Sequence, residues 1–599
     1  MTTLHPLRTK SRKLSWKNNL PHSIDYDDRF FQSNAIEETN EVFIQGNNLL
    51  NRWKNNNSKN FTIGELGFGF GLNFLITIKK WHEESSKNKD MWLDYISIDC
   101  FSLKIKDFKK VFESFPELKE FSEEFLKSFP IETNGYTRIS FPKYKIRLTL
   151  IIDKATTALE SLINNENNKI DAWYLDGFDP SKNPAMWSDS IFTKIATLSN
   201  KDSTFGTYTS AGFVRRGLEK NNFKVYKVKG FGNKRHKLQG RYINNTRSHK
   251  SNQIPDKVAI IGAGLAGSCL AFKLAKYGVQ VDVFDKNKEL IANPMASMYP
   301  KFSLGTDARS FLLTQGYFYS YKFYTEVLES FVNTGILFLN NNLDRDYWIK
   351  RINKLNRDDL FQNITAEEIN SKNNLNQNYD GILIKYGANI SINELNNKLL
   401  NTNNIKIIKE HEFKKYHLGE RIKIIFKNDR YYDDYSHLVI CSGDSLKKLM
   451  PKMGIKYGAI AGINEKSLHN IKYPINGDGY VLPEDNKINW AGSIYSNENL
   501  FKNNVLDFEE IIKKNSHILS DQTKNNIKRS WIGTRASLPD YTPIAGNIEK
   551  NKIFTIGGLG SRGLSLAPLL AEVIMNDICN IPSAVSNEVR DAISPLRFK

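Results

Sequence analysis

A chain of 599 residues with 84 Lys and Arg against 65 Asp and Glu carries a formal charge of +19, and its 40% hydrophobic and 25% charged residues exclude a disordered or fibrous protein. At about 100–200 residues per domain, this length predicts more than one hydrophobic core. No stretch reaches the ~18 uninterrupted apolar residues of a membrane span, and Met1 to Trp16 holds Arg8, Lys10, Arg12 and Lys13 with no apolar segment behind them. Cys100, Cys269, Cys441 and Cys579 form no Cys-x-x-Cys pair. A cytoplasmic protein is therefore expected, with no signal peptide, no membrane association, no disulfide framework and no metal; His22 and His236 lack partners at ligand spacing.

Asn-rich stretches at Asn55–Asn57, Asn164–Asn168 and Asn340–Asn342 read as loops. The first buried-strand pattern, Phe61–Ile63, runs into Gly64-Glu65-Leu66-Gly67-Phe68-Gly69-Phe70-Gly71. Glycines at 67, 69 and 71 allow a tight turn and a close approach of ligand to backbone; the acid Glu65 is a poor neighbour for a pyrophosphate and suits a cationic cofactor. A second acid, Asp99, ends the apolar run Tyr95–Ile98, where a carboxylate with two acceptor oxygens suits a ribose diol. The alternative is a plain glycine turn and a capping aspartate. The pattern resembles the first motif of S-adenosylmethionine-dependent methyltransferases, which implies that cofactor beside Glu65, Gly67, Gly69, Gly71 and Asp99.

Trp173-Tyr174-Leu175-Asp176-Gly177-Phe178-Asp179-Pro180 is a further apolar run ending in an acid and a turn. It resembles the acid-aromatic-proline loop of methyltransferases that act on amino groups. An alkylamine is mostly protonated at neutral pH and attacks a methyl group only through its free lone pair, so Asp176 is the candidate to orient the amine and receive a proton. Asp179, two residues on, suits the turn itself.

The charge is concentrated just beyond. Residues 201–250 hold 13 basic and 2 acidic residues, +11 of the total +19. The cluster includes Arg215, Arg216, Lys234, Arg235 and Lys237, interleaved with Phe231 and His236, residue types that neutralise phosphates and stack on unpaired bases. A solvated lysine-rich face is the other reading. The segment 244–256, rich in polar and turn-forming residues, marks a boundary between a domain over 1–243 and one over 257–599.

The second domain opens with Val258–Ile261 and the turn Gly262-Ala263-Gly264-Leu265-Ala266-Gly267, followed by a predicted helix over Ser268–Tyr277, a strand over Val279–Phe284 and then Asp285. Strand, G-x-G-x-x-G, helix, strand and acid in that order are the dinucleotide fingerprint, with Gly262, Gly264, Gly267 and Asp285 as its working residues. Leu438–Cys441 predicts a return of the chain to this sheet. Gly557-Gly558-Leu559-Gly560-Ser561-Arg562-Gly563 then opens an apolar helix over Leu564–Ile578. An early fingerprint joined to this late loop resembles FAD-dependent amine oxidases of the glycine, sarcosine and D-amino-acid oxidase group. That resemblance implies FAD, contacts from Gly558, Gly560, Ser561 and Gly563, and a substrate carboxylate held by Arg535 and Arg562, for which a planar, permanently charged guanidinium is suited. Ordinary surface ion pairs are the alternative for both arginines.

Taken together, GELGFGFGLNF, AWYLDGFDP, SAGFVRRGL, KGFGNKRHK, ANPMASMYPK, WIGTRASLPDYTPIAG and GLGSRGLSLAPLLAE resemble the family of bacterial bifunctional tRNA wobble-uridine modification proteins along nearly the whole chain. Pro294 and Met295 depart from the small residues usual in that family before the YPK element, which weakens the expectation of flavin contacts at Ala296 and Ser297. The resemblance implies an α/β architecture: a Rossmann-like methyltransferase domain, then an FAD-binding α/β domain with an α+β substrate domain. It further implies oxidative removal of a carboxymethyl group from a wobble-uridine amine followed by methylation of that amine, tRNA as partner, and no obligate protein partner. A small-molecule amine or amino-acid oxidase fused to an N-methyltransferase, and a non-catalytic tRNA-binding or flavin-sensing protein, are the competing readings.

Overall fold

In the computed structural model, residues 4–17, 20–32, 34–56, 58–85, 91–129, 131–163, 165–232, 234–244, 254–340, 344–497, 500 and 508–598 are described. Parts of the expected loops, Asn57, Asn164, Asn341 and Asn342, and most of the expected linker, 245–253, lie outside the described residues. The chain forms two units, one of Met1–Ile254 with Cys579–Val589 and one of Pro255–Ile578 with Arg590–Lys599.

The first unit begins with a small antiparallel sheet of β1 (Leu14–Lys17), β2 (Leu20–Ser23) and β3 (Asp28–Arg29). Its main sheet comprises β4 (Asn60–Leu66), β5 (Trp92–Asp99), β6 (Gly135–Phe141), β7 (Ile146–Ile152), β8 (Ile170–Leu175), β9 (Ser199–Thr207), β10 (Phe223–Lys229) and β11 (His236–Tyr242), in the order β10-β11-β9-β8-β4-β5-β7-β6. Every residue of β4 is buried, because a central parallel strand is covered on both faces. Phe61 and Ile63 join a core with Phe74 and Trp81. Leu66 joins the opposite core with Ile96 and Ile98. The chain runs from β4 outward through β5 and later returns to β8 on the other side, so strand order reverses between β4 and β8. The carboxyl ends of strands at such a reversal leave a crevice, and the glycine loop opens there.

The run Cys579–Val589, which a domain boundary at 256 assigns to the second domain, folds with the first unit. Arg138, buried, donates to the Pro582 carbonyl, and the Ser583 amide donates to Asn168 Oδ1 at 2.9 Å.

In the second unit a six-stranded sheet is ordered Ile405–Ile408, β13 (Gln280–Phe284), β12 (Lys257–Ile261), His437–Ile440, Ile553–Gly557, Ile544–Glu549. All its pairings are parallel except the last. A helix over Leu265–Lys276 follows β12. A second, eight-stranded sheet includes Gly454–Ile463 between Ile488–Ser496 and Ile527–Ser537 and has its own core around Leu337, Ile475, Val481 and Ala491. This is a dinucleotide-type α/β part joined to an α+β part. Gly262 has φ +106°, and a Cβ there would meet the Cys441 carbonyl oxygen at 2.5 Å. A Cβ at Gly267 would lie 1.9 Å from the Gly262 carbonyl oxygen, so helix and loop pack closely only around glycine. Gly267→Ala is accordingly expected to purify with less than about a tenth of the wild-type flavin content, an overpacking effect of the order of 1–3 kcal/mol; unchanged flavin absorbance per mole of protein would contradict it.

Candidate functional site: two clefts, one in each unit

The first cleft, of about 300 Å³, lies in the first unit at the carboxyl ends of β4, β5 and β8. Gly67 and Gly69 line it. Gly71 does not; its φ of +67° turns the chain over the Phe68 ring, which a Cβ would meet at 2.8 Å. Gly67, at φ +98°, leaves room for the Asp176 carbonyl oxygen, 2.0 Å from where a Cβ would stand. The glycine loop and the Asp176 loop are thereby brought against each other. The Asp176 amide also donates to the Leu66 carbonyl at 3.1 Å.

Asp176 lines the cleft, and enclosure by the surrounding protein pushes its carboxyl up to about 7, with Glu38 adding to the rise and the Asn73 amide and Lys234 opposing it. Its loop is held by the Tyr208 hydroxyl, which donates to the Gly177 carbonyl at 2.7 Å, and by Trp187 Nε1, which donates to the Phe178 carbonyl at 3.0 Å. Asp179 instead closes a turn, accepting from the Ser181 amide at 2.8 Å.

Asp99 lines the same cleft. Its Oδ1 accepts from Arg12 and from the Phe101 amide, and its Oδ2 accepts from the Gly69 amide at 3.0 Å. The expectation that both oxygens serve a ribose diol is thus modified: Oδ2 retains the greater acceptor capacity, since a carboxylate offers about four lone-pair sites. Glu65 departs further from expectation. It is fully buried and absent from the lining, and it touches Asn73 and Ser97.

Several lining residues carry no motif signal and come from the amino-terminal segment. The Tyr26 ring stacks on Phe178 at 4.8 Å, Phe30 meets Phe70 edge-on at 4.8 Å, and Arg12 lies 5.0–5.1 Å from the rings of Phe30, Phe101 and Phe178. The aromatic cluster Tyr26, Phe30, Phe31 was the available hint. The open backbone at Gly67 and Gly69, the acid Asp99 and an aromatic wall suit a sulfonium cofactor with a ribose and an adenine.

Of the basic residues, Arg215, Arg216 and Arg235 are exposed. Lys234 is turned into the cleft, 3.9 Å above the Tyr208 ring and 3.8 Å from Glu38. Lys237 is buried and donates to the Glu41 carbonyl at 2.8 Å, so it offers no free charge to a polyanion. On β11 its side chain meets Glu41 of the segment Asn40–Gln45, whereas His236 and Arg241 of the same strand are exposed. Phe231 likewise packs against the core, whereas Phe213, beside Arg215 on the helix Gly212–Lys220, is 44% exposed and had no role in the sequence reading.

The second cleft, of about 450 Å³, lies in the second unit. Gly264, Gly558, Gly560, Ser561, Arg562, Gly563 and Arg535 line it, together with Ala296 and Ser297. Gly262 and Gly267 stand behind it as packing positions, and Asp285 stands outside it, accepting from the Ala263 and Asn287 amides at 2.9 Å each. The late loop reaches the arginine-bearing strand because the Gly560 amide donates to the Ala536 carbonyl at 2.8 Å. Arg535 and Arg562 thus face one space. The Arg535 guanidinium lies 4.7 Å over the Tyr495 ring and donates to its hydroxyl. Tyr299 and Lys301 of the YPK element and Trp531 of the WIGTR segment, to which no role was assigned, also line it, with Tyr480 from outside any motif. A Cβ at Gly264 would meet nothing within 4 Å, and Ser297 Oγ, shielded from solvent, has no hydrogen-bond partner among the described residues. Open backbone at the nucleotide turn and a polar atom awaiting a partner fit FAD. Among the described residues, no helix is long and apolar enough to cross a membrane.

A family model for S-adenosyl-L-methionine-dependent methyltransferases matches residues 116–243, and one for FAD dependent oxidoreductases matches 257–576. The chain is 29% identical to the tRNA 5-methylaminomethyl-2-thiouridine biosynthesis bifunctional protein MnmC of Legionella pneumophila (strain Lens), over 98% of this chain and 97% of that one. It is also 29% identical to the protein of that name from Leptospira interrogans, over 98% and 99%. Among solved structures, iminodiacetate oxidase from Chelativorans sp. BNC1 matches at TM-score 0.50 and 18% identity, covering 56% of this chain and 98% of that one, a likeness of fold. The cofactors are S-adenosylmethionine and FAD. Since the oxidoreductase model spans more than half of the 599 residues, the chain belongs to the FAD dependent oxidoreductase family, here joined to an amino-terminal methyltransferase region similar to that of the MnmC proteins.

Proposed function

We propose that the chain is a bifunctional tRNA-modifying enzyme acting on the wobble uridine. Its flavin unit removes the carboxymethyl group from 5-carboxymethylaminomethyl-(2-thio)uridine, and its methyltransferase unit converts the aminomethyl product to 5-methylaminomethyl-(2-thio)uridine. The observation that carries this reading is that one chain, similar to MnmC along 98% of its length, holds an arginine pair suited to a glycine-like carboxylate in one cleft and an enclosed aspartate suited to an amine in the other.

When bound, FAD supplies the two-electron oxidation of the carbon–nitrogen bond, and S-adenosylmethionine supplies the methyl group. Arg535, steadied by Tyr495, pairs with the substrate carboxylate and orients the amine-bearing carbon, with Arg562 on the same wall. Water hydrolyses the resulting substrate imine to the primary amine, and the two-carbon fragment leaves as a 2-oxo acid. In the other unit Asp176 orients that amine and takes its proton, so that the lone pair is free to attack. Arg215, Arg216 and Arg235, exposed, are proposed to contact phosphates, and Lys234 to act at the mouth of the methyl-transfer cleft.

The test is incubation of the full-length protein with tRNA bearing the carboxymethylaminomethyl nucleoside, with and without S-adenosylmethionine, followed by mass spectrometry of the nucleosides. The aminomethyl nucleoside is expected without the methyl donor and the methylaminomethyl nucleoside with it. Survival of the starting nucleoside would refute the oxidase assignment. Charge reversal at Arg215 and Arg216 is expected to flatten the salt dependence of tRNA binding by about one to two phosphate contacts; no change would favour a small-molecule substrate.

A further inference from the structure

The buried acid Glu65 does not line the first cleft. It lies behind the cleft floor, and its two oxygens meet neutral partners: Asn73 Nδ2, 3.0 Å from Oε1, and the Ser97 hydroxyl, 2.6 Å from Oε2, which can donate to a carboxylate or accept from a carboxylic acid. The same Asn73 Nδ2 donates to Asp176 Oδ2 at 2.6 Å, and the Thr39 hydroxyl donates to Asn73 Oδ1 at 2.7 Å. The Asp176 carboxylate can only accept, which sets the amide nitrogen and not its oxygen towards the acids. One amide nitrogen therefore joins a solvent-free carboxyl group to the carboxyl group that lines the cleft.

We propose that Glu65 is a positioning residue for methyl transfer, acting through Asn73 to hold the Asp176 carboxylate in the orientation that meets the substrate amine. The proposal rests on the reading of Asp176 as the amine-orienting acid. Two physical arguments carry it. An Asn73 side chain without Glu65 keeps one fixed partner on its oxygen but loses a fixed partner on its nitrogen, so its rotation about the side-chain axis is freer and Asp176 is held less tightly. The second concerns charge. Asp176, Glu38 and Lys234 are the charged groups that bear on the cleft side, whereas Ser97, Tyr95 and Asn73 enclose Glu65, none of them a cation. Two linked carboxyl groups in so dry a place do not both ionise readily. Burial pushes both carboxyls up, but only Asp176 has a cation, Lys234, bearing on it, so the inner acid is the better holder of the proton and the outer one, which faces the amine, of the charge.

The test uses the full-length protein and tRNA already carrying the aminomethyl nucleoside, with S-adenosylmethionine affinity measured separately by equilibrium dialysis. Glu65→Ala is expected to lower kcat about 10- to 100-fold with cofactor affinity changed less than about threefold. Glu65→Gln, which still accepts from Asn73 and can donate to Ser97, is expected to restore kcat to within about threefold and to leave the acidic limb of the pH profile in place. In an Asn73→Ala background, Glu65→Ala should add nothing, because its route to Asp176 is already cut. Loss of cofactor affinity at unchanged kcat, or effects that multiply in the double variant, would overturn the proposal and return Glu65 to the cofactor. Should Glu65→Ala fail to fold, Glu65→Gln decides: a tenfold or greater loss of cofactor affinity, or a displaced acidic limb, refutes a neutral anchor. Full methylation by Asp176→Asn would instead refute the underlying reading and is visible without any change at Glu65.

Discussion

Asp176→Asn is expected to reduce methyl transfer by about three orders of magnitude in kcat, since a positioned general base contributes roughly 10²–10⁴-fold and an amide cannot take the proton of the incoming amine. The flavin reaction should be unaffected, so the aminomethyl nucleoside should accumulate in the presence of S-adenosylmethionine, a result read directly by mass spectrometry. Equal loss of both reactions would point to a folding defect. The wild-type rate should also fall as pH drops through about 7, because the Asp176 carboxyl is pushed up to that value and its protonated form accepts nothing. The stability effect has the opposite sense. A carboxyl group whose folded value lies above its unfolded one, near 4, stabilises the fold fully below pH ~4, and that contribution is lost as pH rises through the folded value. Asp176 and Glu65, raised to about 7 and about 8 by burial, should thus make the first unit less stable between pH ~4 and pH ~8. Asp176→Asn should melt higher than wild type at pH ~8 and show a smaller difference at pH ~5, trading activity for stability.

Arg535→Ala is expected to lower kcat/KM for the carboxymethylaminomethyl substrate about 10²–10³-fold, roughly 3–4 kcal/mol of lost binding to a charged group in a walled cleft. Arg535→Lys should recover little, because an ammonium ion reproduces neither the two-pronged contact with a carboxylate nor the stacking 4.7 Å over the Tyr495 ring. Flavin content should remain at the wild-type level, as should methylation of tRNA supplied with the aminomethyl group. A variant that oxidises normally would assign the carboxylate to Arg562 or Lys301, which line the same cleft.

Glycine patterns and the acids that follow apolar runs were legible because they obey local rules: a strand, a turn that needs φ > 0, a helix start. Gly67, Gly262 and Gly560 all adopt such angles. Local rules do not say which way a side chain points once its strand is paired. Lys237 belongs by composition to the basic cluster, yet its place on β11 buries it, whereas Arg215 and Arg216 sit on the open face of a helix. Glu65 looked like a cofactor residue because it precedes the loop; it belongs to a strand covered on both faces, where either direction of a side chain leads into the interior.

What the sequence by itself determined is which segments supply the cleft walls: the two glycine loops, the acids Asp99 and Asp176 that end apolar runs and, by family resemblance, the arginine-bearing segments of Arg535 and Arg562. The tertiary structure alone decided what these residues meet. Tyr26 and Phe30 come to the first cleft from before β4, Tyr495 reaches Arg535 across the intervening strand Gly454–Ile463, and Cys579–Val589 joins a unit more than three hundred residues earlier in the chain. Contacts between residues so far apart in sequence leave no periodicity to read. They exist because the strand order reverses between β4 and β8 and because two pleated sheets can place side chains from distant segments on one wall.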